Sequence, residues 1–516
     1  MKERESARYT LWALAYLLAW TIFRAIYSCG FQLSPDETNY WQWGRHLAWG
    51  YHDQAPMIGW LIRLCTEIFG TSAFSVRLPS IAASAVSCAY IILFARRWMG
   101  ARAAWAVAIL SQGILEFNAG GLLATADAIQ AAGWAGAAYH TARAFEDGSW
   151  RQWLLAGLWF GFGMLSKFTM VLFGPCALCF GLFSPRHRGR LASIRPWASL
   201  ALGSLMFFPV IVWNARHGWN SARHVASIGG ANETFFALHW KFFGDYIGSQ
   251  AALLTPLVFI LIVWAWVLAW KKRGNWTVWY CFWTSLPVFA GFALLSLHSR
   301  IYGNWPGAGY PTAVVLVAAF FGPGCFALGM RFKPVLWTAT LIVAYLMTTL
   351  LIIQTVWPVL PIPVKLDRPA TELSGWSRLG AVAGETLYAM PRPNDTFLFG
   401  TRYQIASELA YYAPGRPQTV SINRWTRPNV YDYWVTDAEL KGKDGVGVTM
   451  NASDGRLLAT VFTRVDSPMA LPIFRTRPFS NTPELVKTFY IFRCYGFLGG
   501  LAWIPPASDD IRKGST

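Results

Sequence analysis

The sequence predicts a polytopic α-helical membrane protein with a water-soluble α/β domain at its C-terminal end. Composition is the first reason: 54% of the 516 residues are hydrophobic and only 14% are charged, whereas a soluble enzyme usually carries about 25% charged residues. The second reason is the distribution of acids, because residues 1–356 contain only 12 of the 26 carboxylates. We therefore expect a membrane domain at 1–356 and a polar domain at 357–516.

Apolar stretches long enough to cross about 30 Å of hydrocarbon indicate about eleven transmembrane helices. The break between the fifth and the sixth is short and falls at Ser166-Lys167. The expected spans are 9–29, 77–95, 103–118, 122–142, 152–166, 168–184, 196–213, 248–270, 276–297, 306–323 and 335–356.

The charges of the connecting loops orient these spans. With the N-terminus inside, every strongly basic short loop lies on the cytoplasmic side, as the Lys/Arg bias of membrane proteins requires. An odd number of spans then places the C-terminal domain outside. The net charge of +18 is explained by topology and lipid contact, so it does not indicate a nucleic-acid partner. The basic loops contain Arg96, Arg97 and Arg102, then Arg143 and Arg151, then Arg186, Arg188, Arg190 and Arg195, then Lys271, Lys272 and Arg273, and finally Arg331 and Lys333.

Two adjacent carboxylates, Asp36 and Glu37, begin the first outer loop (30–76), directly after the first span. Acids are uncommon in such chains, because removing a carboxylate from water costs several kcal/mol. The alternative to a functional pair is two solvated loop charges. An amphipathic stretch after Pro56 predicts a helix that lies on the membrane surface or packs within the loop.

The other acids of the membrane domain support a functional site at the outer face. None of the eight carboxylates outside the cytoplasmic loops falls at the expected bilayer midplane, where ion-coupled transporters tend to place acids. This distribution favours an enzyme with chemistry at the outer surface over a flippase for lipid-linked sugars, which stays the alternative. The eight are Asp36, Glu37, Asp53, Glu67, Glu116, Asp127, Glu233 and Asp245.

Basic side chains accompany these acids at the outer ends of the spans. Lys167 lies between two spans, Arg300 precedes Tyr302-Gly-Asn-Trp-Pro306, and His217 follows Asn214. Each cation alone is explained by snorkelling to lipid headgroups. Several together, beside acids, predict a site for an anionic headgroup, because ammonium and guanidinium groups bind phosphate through charge-assisted hydrogen bonds.

Short motifs occur in a recognisable order over most of the chain. They are 35–43, 50–57, 76–80, 125–127, 165–169, 209–219 and 304–306, and in the C-terminal region 375–376, 402–409 and 431–434. In order and spacing they resemble the bacterial GT-C glycosyltransferases of the protein O-mannosyltransferase and lipid A aminoarabinose transferase superfamily. The similarity is greatest to the family 39-like group, which resembles dolichyl-phosphate-mannose–protein mannosyltransferases.

The resemblance implies a GT-C fold and the transfer of a sugar from a polyprenyl-phosphate donor, with inversion at the anomeric carbon. The acceptor would be a glycolipid such as lipid A or its core, a polysaccharide or a protein, on the periplasmic side of the bacterial inner membrane. Asp36 would be the general base, with Glu37 as the second catalytic residue. Lys167 and Arg300 would bind the donor phosphate. The residues expected to bind substrate are Tyr40, Tyr51, Asp127, Asn214, His217, Asn304 and Trp305.

Two motifs depart from the family pattern. The family commonly has a basic residue and two prolines after the first-loop acid, whereas this chain reads Asp53-Gln54-Ala55-Pro56. The family's Thr-Pro-Asp is Thr125-Ala126-Asp127 here, so the acid is retained without its rigid turn. A divalent metal cation held by Asp53 or His52, as in some relatives, is an open alternative to a metal-free site.

The C-terminal region predicts a compact α/β domain. Residues 395–399, 456–464 and 487–493 have the pattern of strands, and 403–412 has helical spacing. About 160 residues are enough to bury a core of their own. The domain is expected to cap the cavity and shape the acceptor site, or else to be a structural appendage.

Overall fold

The computed structural model of the protein describes residues 2–230, 238–323, 325–328, 331–478, 480 and 482–504. The first α-helices are α1 (Lys2–Tyr27), α2 (Pro35–Arg45), α3 (Met57–Phe69), α4 (Ala73–Met99), α5 (Ala101–Gly113), α6 (Leu115–Ala119), α7 (Ala126–Asp147), α8 (Trp150–Met164), α9 (Phe173–Phe183), α10 (Arg188–Leu191), α11 (Ile194–Met206) and α12 (Phe208–Arg216). They are followed by α13 (Asn220–Ile228), α14 (Trp240–Leu254), α15 (Pro256–Lys271), α16 (Trp276–Trp283), α17 (Leu286–Ser296), α18 (Tyr310–Phe321), α19 (Pro334–Val356), α20 (Arg368–Glu372), α21 (Trp376–Tyr388), α22 (Tyr403–Tyr412), α23 (Asp437–Leu440) and α24 (Gly455–Leu458).

Six strands and several short 3-10 helices complete the described structure. The strands are β1 (Thr396–Gly400), β2 (Thr419–Ser421), β3 (Asp444–Thr449), β4 (Phe462–Val465), β5 (Met469–Arg475) and β6 (Glu484–Phe497). The 3-10 helices are Phe168–Leu172, Trp305–Gly309, Cys325–Leu328, Val364–Leu366, Pro393–Asp395, Val430–Tyr433 and Ala452–Asp454.

The chain forms two compact units. The membrane unit comprises Met1–Cys29 and Leu47–Leu351, and the C-terminal unit comprises Gly30–His46 and Ile352–Thr516. This division differs from the expected one, which kept the whole first loop (30–76) in the membrane domain and placed the boundary at residue 356. The loop is instead shared, and its acid-bearing helix α2 belongs to the C-terminal unit.

The membrane unit confirms the predicted class of polytopic helical membrane protein. In the described chain, four helices are long and apolar enough to span a membrane: Arg4–Tyr27, Ala73–Met99, Trp276–Ser296 and Pro334–Val356. Two bent pairs raise the number to six if each is one span, and Phe168–Phe183 and Trp305–Phe321 are shorter apolar helices. The count of about eleven stays a prediction, because α5, α7 and α8 are too short or insufficiently apolar to qualify by the same criteria.

Two predicted spans are broken where the sequence analysis expected continuous helices. The span predicted at 248–270 bends by 106° between α14 and α15. Thr255 has a φ of 70° at this break, and Pro256 cannot continue the preceding helix because it lacks an N–H and its ring clashes with the previous turn. The span predicted at 196–213 bends by 43° between α11 and α12, just before Pro209. Average hydropathy does not register such backbone breaks.

Helices α7 and α8 approach each other closely because glycines lie at their contact. A Cβ atom at Gly133 would lie 2.7 Å from the Cα of Gly163, and one at Gly136 would lie 2.4 Å from the ring of Trp159. Small residues allow membrane helices to pack where lipid is as apolar as their side chains. The start of α7 and the segment after α8 each carry a predicted site residue, Asp127 and Lys167.

The C-terminal unit contains one mixed sheet with the strand order β2-β1-β3-β6-β4, and β5 also pairs with β6. Strands β1, β2 and β3 are parallel, whereas β6 is antiparallel to its three neighbours. Helix α22 connects β1 to β2, as a crossover between parallel strands requires. Adjacent parallel strands therefore end at the same edge of the sheet.

The sequence predictions for this unit are largely confirmed. The strands expected at 395–399 and 487–493 correspond to β1 and the middle of β6, and the helix expected at 403–412 is α22. The strand expected at 456–464 is wrong in its first half, where α24 precedes β4. The buried residues there, Leu458, Val461 and Phe462, recur at helical rather than alternating spacing.

Candidate active site

The two adjacent acids at the start of α2 have different environments. Pro35 begins the helix after the N-cap residue Ser34, and its fixed φ suits that position. The Glu37 carboxylate is buried and accepts a hydrogen bond from the backbone N of Ser34 at 2.9 Å. Asp36 is exposed in the first helical turn, where the helix dipole favours a negative charge. The geometry therefore gives Glu37 a capping role and leaves Asp36 accessible.

The backbone before α2 is held by other residues of the C-terminal unit. The N of Leu33 donates to the hydroxyl of Tyr412 at 2.7 Å. The side-chain oxygen of Gln32 accepts from the N of Trp376 at 2.8 Å. These hydrogen bonds connect the entry of α2 to the end of α22 and the start of α21.

The end of α2 is anchored to the same unit. The Gln42 side chain donates to the hydroxyl of Tyr431 at 3.3 Å, and the ring of His46 stacks on Trp434 with a centroid distance of 4.2 Å. Burial, reinforced by neighbouring Arg45, lowers the pKa of His46 to about 4. Its ring is therefore neutral at pH 7 and contributes packing rather than charge. Tyr40, predicted to bind substrate, is partly exposed in the middle of this helix.

In the membrane unit, Asp127 and Lys167 form an ion pair. Asp127 lies in the first turn of α7. The Ser80 hydroxyl accepts from the N of Thr125 at 3.0 Å and so fixes the entry to that turn without the family's proline. The Lys167 ammonium lies 2.5 Å from Asp127 Oδ1, and the two side chains are 12% and 18% exposed. The predicted phosphate-binding and substrate-binding residues are thus brought together.

The segment that carries Lys167 is anchored from two sides. The carbonyl of Leu165 accepts from the N of Met57, the last residue of the motif at 50–57, at 3.0 Å. The Gln130 side chain, one helical turn beyond Asp127, donates to the Thr169 hydroxyl at 2.7 Å. The first loop, α7 and this segment therefore meet in one region of the membrane unit.

Glu116 is an acid whose role the sequence analysis did not assign. It lines a small cavity of about 40 Å³ together with Asp127, Ser84, Gly307 and Tyr310. The short helix α6, separated from α5 by the extended residue Ile114, brings the carboxylate there. Glu116 was recognised as an outer-face carboxylate, but no motif distinguished it from its neighbours.

His52, Asp53 and His224 form a cluster suited to a metal ion. Asp53 Oδ1 lies 3.1 Å from His224 Nε2, and the rings of His52 and His224 have centroids 4.9 Å apart. One candidate ligand atom from each of the three residues lies within 4.8 Å of the others. Two imidazoles and a carboxylate are a donor set that zinc accepts, so these residues fit a divalent cation. The third member, His224 on α13, was not among the predicted ligands, because its separation of 171 residues from Asp53 matches no ligand-spacing motif.

Two predicted substrate-binding residues, Tyr51 and Asn214, accept hydrogen bonds from the backbone of the membrane unit. Tyr51 is buried, and its hydroxyl oxygen accepts from the N of Ala48 at 3.1 Å. Burial raises the pKa of Tyr51 above its usual range, so the phenol stays protonated. The buried Asn214 side-chain oxygen accepts from the N of Ala222 at 3.2 Å. These contacts shape the loops around the site and do not by themselves indicate contact with substrate.

The remaining predicted residues lie at the ends of helices. His217 follows α12 and stacks on Trp213 with a centroid distance of 4.1 Å. Arg300 is exposed between α17 and the 3-10 helix that begins at Trp305, with Asn304 as the N-cap of that helix. Their roles in substrate binding stay predictions, and Glu233, another predicted outer acid, lies outside the described residues.

Known proteins resemble this chain in sequence and in fold. The family model for dolichyl-phosphate-mannose-protein mannosyltransferases matches residues 53–213. The lipid A galacturonosyltransferase RgtD of Rhizobium johnstonii is 23% identical over 296 residues, which are 54% of this chain and 59% of RgtD. The matched region thus spans less than two thirds of that relative.

Solved structures match over nearly the whole chain. ArnT from Cupriavidus metallidurans, solved with undecaprenyl phosphate bound, is 16% identical with a TM-score of 0.57, covering 94% of this chain and 98% of ArnT. The oligosaccharyltransferase AglB of Archaeoglobus fulgidus is 12% identical with a TM-score of 0.50, covering 84% and 69% of the respective chains. The chain has the GT-C fold, and the resemblance drawn from its motifs is confirmed.

The ion pair between Lys167 and Asp127 generates a prediction about stability. Lys167→Met or Asp127→Asn alone should lower the thermal midpoint of the detergent-purified protein, since each leaves a mostly buried charge unpaired at a cost of about 1.5–3 kcal/mol. The double variant should recover most of the loss. Neutralising the exposed Arg63–Glu67 pair is the control and should change little. Additive losses in the double variant would contradict the pairing.

Proposed function

We propose that this GT-C membrane protein transfers a sugar from a polyprenyl-phosphate donor to an acceptor hydroxyl, with Asp36 as the general base. The observation that carries this proposal is the accessible Asp36 carboxylate at the start of α2, beside the buried, capping Glu37. The binding of undecaprenyl phosphate by ArnT supports the donor class. The similarity to RgtD favours lipid A as acceptor and galacturonic acid as the first sugar to test.

In the proposed reaction, Asp36 accepts the proton of the acceptor hydroxyl as its oxygen attacks the anomeric carbon. The bond from that carbon to the phosphate oxygen breaks at the same time, which releases polyprenyl phosphate and inverts the anomeric centre. Because the leaving group is already a phosphate anion, it needs neutralisation more than a proton donor. We infer that the site faces the periplasm of the bacterial inner membrane, in keeping with the loop charges.

Lys167 is proposed to bind the donor phosphate while it stays paired with Asp127. An ammonium group has three N–H donors, and the Asp127 carboxylate engages one of them at Oδ1. The other two donors are sufficient for phosphate oxygens. Arg300, exposed before the Trp305 helix, is the proposed second phosphate contact, since a guanidinium group can bind two oxygens in a fixed geometry.

An apolar groove in the membrane unit is proposed to hold the polyprenyl chain of the donor. It lies between α8, α9 and α11 and has a volume of about 510 Å³. Its lining includes Val171, four residues after Lys167, and Trp197 near the start of α11. Its lining is almost entirely apolar, as an isoprenoid chain requires.

A divalent cation is proposed at His52, Asp53 and His224, whose ligand atoms lie within 4.8 Å of one another. When bound, such a cation would supply positive charge that could neutralise an anionic substrate group. Without it, the Asp53 carboxylate and His224 still hold the first loop against α13.

The assignment of Asp36 as base predicts unequal effects for the two acids. Asp36→Asn should lower kcat by about 10²–10⁴-fold with little change in donor affinity, because an amide cannot accept the proton at neutral pH. Glu37→Gln should be much milder, since the amide oxygen can still accept from Ser34 N. The measurement is release of polyprenyl phosphate from polyprenyl-phosphate galacturonate with lipid A as acceptor.

Equal and small losses of kcat in both variants would contradict the assignment of Asp36 as base. The two acids would then be solvated or helix-capping charges. Movement of the labelled donor across vesicles without any release of polyprenyl phosphate would favour the flippase instead. Donor binding, measured separately, distinguishes loss of chemistry from loss of substrate.

If the groove holds the polyprenyl chain, the KM should depend on the length of that chain. A substitution at one glycine can test this. A Cβ at Gly174, which lines the groove, meets nothing within 4 Å, so Gly174→Leu should fill the groove without disturbing its walls. The KM for a long-chain donor should rise about tenfold through lost apolar contact, whereas that for a two-isoprene analogue should not. Gly291→Leu on α17, where a Cβ also meets nothing within 4 Å, is the matched control. Equal effects on both donors would exclude the groove as the chain site.

The metal proposal predicts bound zinc independently of activity. The dialysed wild-type protein should retain about one equivalent of zinc by elemental analysis, and His224→Ala should lose it, since three protein ligands are usual for such a site. His239→Ala, a histidine of the membrane unit outside the cluster, should retain it. A wild-type protein that binds no zinc, manganese or magnesium would refute the site.

A further inference from the structure

The first observation is a hydrogen bond between the acid-bearing helix and α22, both within the C-terminal unit. The hydroxyl of Tyr403 donates to Asp36 Oδ1 at 3.4 Å. This distance is long for a hydroxyl and a carboxylate, but hydrogen bonds at active sites often tighten only when substrate binds.

A cation lies against the same tyrosine. The guanidinium carbon of Arg427 is 5.1 Å from the centroid of the Tyr403 ring. A cation over an aromatic face is attracted by the ring's electron density, so the two side chains hold each other. The positive charge also favours the ionised carboxylate that Tyr403 contacts.

The topology of the sheet explains why these residues meet. Tyr403 begins α22, directly after β1, and Arg427 lies in the loop that follows β2. Strands β1 and β2 are adjacent and parallel, so both residues lie at the carboxyl edge of the sheet. In open parallel sheets this edge is where ligands commonly bind. The loop with Arg427 is the connection from β2 to β3, which lies on the opposite side of β1.

A partly buried hydrogen-bond network fixes the loop that carries Arg427. The Asn429 side chain donates to Asn423 Oδ1, and the Asn423 side chain donates to Asp432 Oδ1, both at 2.7 Å. Asp432 Oδ2 also accepts from the N of Asn429 at 3.0 Å. These bonds bracket Arg427 on both sides, and satisfied buried networks of this kind rigidify the segments they connect.

We propose that Tyr403 and Arg427 are positioning residues for Asp36, which orient one oxygen of its carboxylate and keep the group ionised for proton abstraction. The inference rests on the proposed function, because it acts through the proposed base. It assigns the carboxyl edge of the C-terminal sheet a direct part in the chemistry, beyond a structural or capping role. Neither residue touches the reacting atoms itself.

The charged and titratable groups around Asp36 in the described C-terminal unit give the sign of the pH effect. Helix α2 contributes Glu37, which caps its own helix. Helix α22 contributes Tyr403, whose hydroxyl contacts Asp36, and the loop after β2 contributes Arg427 against that tyrosine. A hydrogen bond and a cation both stabilise the ionised carboxyl and so lower its pKa. Their removal raises that pKa, which moves the acid limb of the kcat/KM profile to higher pH.

The test compares pH–rate profiles of the full-length enzyme, with polyprenyl-phosphate galacturonate and lipid A as substrates. Tyr403→Phe should lower kcat about tenfold at pH 7, shift the acid limb up by about one pH unit and leave the KM for the donor unchanged. Arg427→Gln should shift the limb in the same direction by less, and Arg427→Lys should retain most of the wild-type profile. Tyr388→Phe, an exposed tyrosine on α21, is the matched control and should behave as wild type.

A Tyr403→Phe enzyme with wild-type kcat and acid limb would overturn the inference. If that variant does not fold, an unshifted limb in Arg427→Gln would overturn it instead. The failure of the proposed function has a different signature, namely an Asp36→Asn enzyme that keeps its activity. An inactive Asp36→Asn enzyme, together with a Tyr403→Phe enzyme of wild-type kcat and pH profile, would refute only the positioning roles. The proposed function would then stand.

Discussion

The docking of α2 against α22 is the interaction on which the candidate active site depends. A helix of 11 residues is too short to be stable by itself in water, so its geometry must come from packing. Trp41 is buried and packs edge-on against Tyr411 of α22, with ring centroids 5.1 Å apart. Hydrogen bonds from the preceding backbone and the stacking of His46 on Trp434 fix its two ends. Without this docking, Asp36 would be a solvated charge on a flexible loop.

The membrane unit obeys a second constraint, which is that charges removed from water need partners. Arg24 is buried in α1 and donates to the side-chain oxygens of Gln112 at 2.6 Å and Asn118 at 2.9 Å. Arg77 is buried in α4 and donates to the carbonyl of Ser28 at 2.6 Å. Intramembrane ions that lack such partners are costly. Lys167 meets the same requirement through its ion pair with Asp127.

Much of the fold was predictable from sequence because its signals are local. Hydropathy identified the membrane region, and helical spacing identified α22 to the residue. The broken spans were not predictable from hydropathy, because Thr255 and Pro256 change the backbone without changing the apolar character. The acid pair stood out as a candidate site from its rarity, but the difference between its members depends on the capping hydrogen bond of Glu37.

The parts of the site that were missed depend on distant pairs. His224 reaches Asp53, and Tyr403 reaches Asp36, across separations of 171 and 367 residues that no spacing rule encodes. The assignment of α2 to the C-terminal unit also depends on contacts between residues far apart in the sequence. Local pattern places each residue on a helix or loop, whereas tertiary contact decides which of them share a site.

The membership of α2 in the C-terminal unit has a consequence for synthesis of the chain. Residues 30–46 emerge from the ribosome early, yet the strands and helices against which they pack lie beyond residue 351. Contacts of such high sequence separation form late and slowly. A nascent chain can therefore insert and pack its membrane helices before Asp36, the proposed base, is held in place. Under the proposed function, catalytic competence is the last property that the protein acquires, and a prematurely terminated chain would occupy the membrane without turnover.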